Sequence, residues 1–97
     1  MHVIPLNKEL LERIFILHPK LPNFITAGII TLKSAREIMG IDRYLMKEIF
    51  HDLLEIGAVV GVTGTSWRAT PQLHEYMKKR EQEKNERANI MHNKWIR

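Results

Sequence analysis

The side chains best equipped to recognise a ligand lie in one short stretch, GIDRYLMKEIFHDLLEIG, residues 40–57. Wound at 100° per residue, this stretch gathers Met46, Ile49, Phe50 and Leu53 into an apolar stripe. The opposite side carries Arg43, Tyr44, Lys47 and His51, with Glu48, Asp52 and Glu55 alongside. A guanidinium fork, an ammonium, a phenol and an imidazole on one face form a donor set for an anionic partner. The plain alternative is a solvated amphipathic helix whose polar face only meets water. A second donor group is Lys33, Ser34 and Arg36, at the start of another helix, where free amides and the positive helix end favour an anion. Ser34 competes there as a helix cap. A third is Thr63, Thr65 and Ser66 with Arg68 just beyond, in a polar turn whose composition also suits turn chemistry alone.

Other chemistries find no residues. The five histidines, His2, His18, His51, His74 and His92, are scattered, and none pairs at a metal-ligand spacing such as HExxH. Cysteine is absent, which removes disulfides and thiolate sites and suits a reducing interior. There is no nucleophile–base constellation and no glycine-rich phosphate loop, since Gly61 and Gly64 belong to a hairpin. The expectation is a protein that is not an enzyme and needs no metal or cofactor. The start MHVIPLNKEL has no basic opening followed by an apolar run, and no apolar run nears the ~18 residues of a membrane span. A cytoplasmic location is expected.

The elements that must position these groups are marked by caps and breakers. Asn7 caps a first helix over 7–17, with Leu6 and Leu11 placed as a staple, and His18-Pro19 stops it. Residues 19–28 form a connection, and IITL, 29–32, reads as a short strand. Ser34 and Glu37 read as a capping box for a second helix with Ala35, Ile38 and Met39 on its apolar side, ended by Gly40. Asp42 caps the third helix, which Gly57 stops. Residues 58–62 and 67–70 then read as a hairpin around TGTS, with Trp67 a core or interface residue. Thr70-Pro71 starts a fourth helix with Leu73, Tyr76 and Met77 on one face.

Charge divides the chain. Residues 1–70 hold eight Lys/Arg against seven Asp/Glu, and residues 71–97 seven against four. The run 78–87 is almost wholly polar, and Glu83 and Arg87 can pair along a helix. Apolar residues return at Ile90, Met91, Trp95 and Ile96. The reading is one domain over 1–77 and a charged helical extension over 78–97, either a dimerisation element or partly disordered. Leu10 and Ile14 of the first helix, with Ile90, Met91 and Trp95, are the expected dimer interface.

SAREIMG, the turn GID, the ending LLEIGAVV and the hairpin GVTGTSWRAT with its threonine-capped helix together resemble a winged helix-turn-helix domain over about residues 29–77. The long last helix resembles small dimeric regulators of the MarR and PadR types. It also resembles the centromere-binding proteins of tubulin-like plasmid partition systems. The resemblance implies a mainly α fold with a small β-hairpin, an α+β class, ending in a long C-terminal helix. It implies a homodimer that binds double-stranded DNA as a small transcriptional regulator or a plasmid or phage DNA-organising factor for partition, replication or transfer.

In that setting the third helix enters the major groove. Arg43 and Lys47 meet guanine edges or phosphates, Tyr44 a phosphate or a thymine methyl, and His51 the groove rim. Lys33, Ser34 and Arg36 hold phosphate, and Thr65, Ser66 and Arg68 form the hairpin contact. Residues 31–57 nevertheless hold four Lys/Arg against five Asp/Glu. That balance supports a rival expectation: a winged-helix module that binds protein rather than DNA, with the C-terminal helix as a further protein contact.

Overall fold

The computed structural model describes the backbone of residues 4–95 and the side chains of residues 4–84. Among the described residues it is an α+β fold of four α-helices and a three-stranded antiparallel sheet. Helix α1 spans Lys8–Leu17, capped by the Asn7 side chain, which accepts from the Leu10 amide. A 3-10 turn, Leu21–Asn23, leads to strand β1, Ile29–Thr31. Helix α2, Leu32–Met39, and helix α3, Arg43–Glu55, follow, then β2, Val59–Thr63, and β3, Ser66–Ala69. Helix α4 runs unbroken over Pro71–Trp95.

Several boundaries differ from the sequence reading. Helix α2 begins two residues before Ser34. Thr31 is its cap, and the Thr31 and Ser34 hydroxyls each accept from the other's backbone amide, at 3.2 and 3.3 Å. Starting the helix at Leu32 buries that leucine beside Ala35, which the Ser34 start would have left in a strand. Ile38, assigned to the apolar side, is exposed. Strand β1 is also not isolated. It pairs with β3, so β3 is central in the order β1-β3-β2. Gly64 turns the hairpin without a positive φ, whereas Gly40 ends α2 at φ 66.

The core lies between the helices and one face of the sheet. Met46, Ile49, Phe50 and Leu53, the whole apolar stripe of α3, are buried. Trp67 projects from β3 onto Phe50, with ring centroids 4.1 Å apart and planes 2° from parallel. That stack fixes α3 on the sheet; large aromatic surfaces contribute heavily to burial. Leu11 and Phe15 bring α1 into the same core, and Leu73 brings α4. The buried Thr70 hydroxyl donates to the carbonyls of Gly57 (2.9 Å) and Ala58 (3.2 Å) and accepts from the Leu73 amide. It therefore caps α4 and ties that helix to the end of α3.

The chain's start is strapped across this joint. Gln72 donates to the Ile4 carbonyl at 2.8 Å and accepts from the Leu6 amide, while the Asn7 amide donates to the Ile56 carbonyl. The strap passes so close to Gly57 (φ 82) that a Cβ there would lie 2.7 Å from the Ile4 oxygen. A polar joint links α1 and α4. Glu12 accepts from Tyr76 Oη at 2.5 Å and from Arg80 Nε at 2.8 Å, and the Arg80 guanidinium lies 5.3 Å from the Phe15 ring centre. Contact between α4 and the body therefore continues into the charged run that begins at residue 78.

Candidate nucleic-acid interface

Helices α2 and α3 pack together across a three-residue turn, Gly40-Ile41-Asp42. Gly40 takes the left-handed conformation, Ile41 packs against the core, and the Asp42 carboxylate accepts from the Leu45 amide at 2.9 Å. These three positions aim the start of α3. Arg43, Tyr44 and Lys47 lie on its first turns, with Tyr44 80% exposed and Lys47 half-buried. A large aromatic held this far into solvent has no role in the core.

The exposed arc of α3 is divided by charge. Arg43, Lys47 and His51 lie along one side, while Glu48, Asp52 and Glu55 lie along the other. His51 Nε2 sits 3.1 Å from Glu55 Oε1, so His51 is engaged within its own helix. Lys47, Glu48, His51 and Asp52 border a hollow that presents both signs of charge. Among the described residues, none of Lys33, Arg36, Arg43, Lys47 and Arg68 makes an ion pair.

The hairpin tip is joined to α2. The amide of Leu32, the first residue of α2, donates to the Thr65 carbonyl at 2.8 Å. That bond satisfies one of the free amides at the helix start and sets Thr65 beside Lys33. Lys33 and Arg36 are exposed on α2. Ser34 is committed to the cap, because its hydroxyl also donates to the Thr31 carbonyl at 3.1 Å. Ser66 is buried, with its hydroxyl 2.7 Å from that of Thr63. Thr65 is exposed, and its amide donates to the Thr63 hydroxyl at 3.2 Å.

Arg68 stands apart from this group. Trp67 faces α3, so its neighbour Arg68 leaves the sheet on the opposite face, between Ile29 of β1 and Val60 of β2. The fold thus gathers Lys33 and Thr65 near the α2 start, and Arg43, Tyr44 and Lys47 on α3, but turns Arg68 away from α3.

Of the expected dimer contacts, Leu10 is exposed and Ile14 packs partly on the core. The side chains of Ile90, Met91 and Trp95 lie outside the described residues. Sequence reasoning did not foresee the exposed Ile16, or that Ile29, Val60 and Val62 face solvent. Only the three-stranded register reveals which strand residues face outward. The Glu12 joint was missed as well; Tyr76 and Arg80, spaced i, i+4 on one face, were its only signal.

No protein-family model, curated protein or solved structure compared with the chain matches it.

Proposed function

We propose that residues 29–77 form a winged helix-turn-helix and that the chain binds double-stranded DNA as a homodimer. The observation that carries this reading is the start of α3. Arg43, Tyr44 and Lys47 stand on its first turns with no ion pair among the described residues, aimed by the Gly40–Asp42 turn. Arg43 has the fork that matches the paired acceptors of a guanine edge. Lys33 and Arg36 on α2, with Thr65 at the hairpin tip, follow the phosphates on the flank. The biological role is that of a small transcriptional regulator or a DNA-organising factor of a plasmid or phage.

A mixed-sequence duplex titrated at several salt concentrations tests the reading. Affinity falls steeply with salt as condensed counterions are released. Lys33→Ala weakens all sequences alike and lowers the log–log salt slope by about 1. Arg43→Ala costs about 1–3 kcal/mol and relaxes preference at one base pair. No binding at low salt refutes the proposal. The acidic side of α3, with exposed Leu45 next to Tyr44, then supports a protein-binding module instead.

A further inference from the structure

A cleft of about 470 Å³ separates the 3-10 turn after α1 from the flank of α4. That volume is in the range of small-molecule sites. One wall is a compact turn. Leu21, Phe24 and Ile25 are buried, and the Phe24 and Ile25 amides donate to the Leu21 carbonyl at 3.2 and 3.1 Å. This anchoring fixes Asn23 and Thr26 on the cleft wall. The other wall is α4, which supplies Lys78, Arg80 and Lys84. Arg80 is held from behind: Nε donates to Glu12 at 2.8 Å, and the guanidinium lies 5.3 Å from the Phe15 ring centre. Glu12 also meets Nη2 at 3.4 Å, which leaves the remaining guanidinium N–H groups for a ligand. Among the described residues, the side chains of Asn23, Thr26, Lys78 and Lys84 make neither an ion pair nor a hydrogen bond. Among the described residues, Glu81 is the one acid in the lining.

We propose that this cleft binds a sugar phosphate, with the phosphate held by Lys78, Arg80 and Lys84 and the sugar hydroxyls by Asn23, Thr26 and Glu81. Three cations on one wall suit a dianion better than a single carboxylate, and the arginine fork matches phosphate oxygens. Lys78 and Lys84 start about 9 Å apart along the helix axis, and their four-carbon stems let both ammonium groups reach one phosphate. Glu81 selects what the phosphate is attached to. A bare phosphate meets a like charge there, whereas a hydroxyl donates to the carboxylate. Asn23 and Thr26 add neutral donors and acceptors for further hydroxyls. Pro22 and Met77, both half-buried, supply an apolar floor for the C–H face of a sugar ring. A nucleic-acid strand fits less well, because Glu81 would stand among its phosphates. Among the described residues, none of α2, α3 or the hairpin lines the cleft, so the inference stands independently of the DNA reading.

The test is an NMR titration of the full chain at millimolar ligand. The probes are glucose-6-phosphate, ribose-5-phosphate, inorganic phosphate, succinate and unphosphorylated glucose. At least one sugar phosphate should bind more tightly than the other three probes and shift the amide resonances of Asn23, Thr26 and Glu81. Replacing both lysines, Lys78→Gln with Lys84→Gln, should weaken that binding at least about tenfold. Glu81→Ala should lower the preference for sugar phosphate over inorganic phosphate several-fold, since it removes a repulsion from one and an acceptor from the other. These three residues are exposed, and circular dichroism checks that the variants fold. Failure of both sugar phosphates to bind overturns the proposal. So does binding of inorganic phosphate or succinate as tight as theirs, or shifts centred on Lys33 and Arg43. An unchanged preference in Glu81→Ala overturns the selection of the sugar.

Discussion

Gly57 and Gly40 both sit in the left-handed region, but their surroundings differ. A Cβ on Gly40 meets nothing within 4 Å, whereas one on Gly57 runs into the backbone of Ile4 and Pro5. Gly40→Ala should therefore cost about 1–2 kcal/mol of conformational strain alone. Gly57→Ala adds displacement of the N-terminal strap and should cost clearly more, about 3 kcal/mol or above. Urea denaturation of the two variants checks the order. The Glu12 joint predicts a pH dependence at both ends of the scale. Partial burial works to raise the Glu12 carboxyl, but donation from Tyr76 and Arg80, with the guanidinium charge, outweighs it and lowers the group from 4.5. Burial, then the bond to Glu12 and its charge, push the Tyr76 phenol up to about 12. The glutamate's contribution is present above pH 4.5 and lost as pH falls through its lowered folded value. The tyrosine's contribution is complete below pH 10 and lost as pH rises toward 12. Tyr76→Phe should remove the tyrosine's share of the alkaline loss, read from denaturation curves compared between pH 10 and 12.

At the scale of elements, the cap of α2 separates two readings of one sequence. Thr31→Ala removes the observed cap and should cost about 1 kcal/mol, while Glu37→Ala should stay within about 0.5 kcal/mol, as measured by thermal melts. Local chemistry made much of the fold legible: Asn7, Asp42 and Thr70 act as caps where read, Gly40 and Gly57 end their helices, and the period of α3 selects its buried stripe. These signals act within a few residues. The capping box was misplaced because Thr31 and Ser34 share hydroxyl chemistry, and only the burial of Leu32 decides between them. The pairing of the first strand with β3 was missed for a different reason. Pairing of Ile30 with Trp67 joins residues far apart in sequence, and no local pattern encodes it. The candidate site divides in the same way. Arg43, Tyr44 and Lys47 were legible from helical period alone, but the face from which Arg68 leaves depends on register across the sheet.

The whole molecule is elongated. Its radius of gyration is 15.4 Å, against about 12.5 Å for a compact chain of this length. Helix α4, with 25 residues, is about 37 Å long, and its contacts with Glu12 through Tyr76 and Arg80 fall in its first half. Among the described residues, no helix is long and apolar enough to cross a membrane. The proposed homodimer predicts a twofold mass in sedimentation equilibrium at micromolar concentration. Leu10→Glu should shift that equilibrium toward monomer, since it puts a charge into the contact while leaving the core intact. A monomer at every concentration tested would remove the dimer from the proposal.

The bond from the Leu32 amide to the Thr65 carbonyl uses main-chain atoms alone. The letter written at position 65 can therefore drift without loosening the anchor, provided position 32 is not proline. A lineage, or a directed-evolution library, can rewrite the side chains of the hairpin tip while the tip stays moored to the same helix.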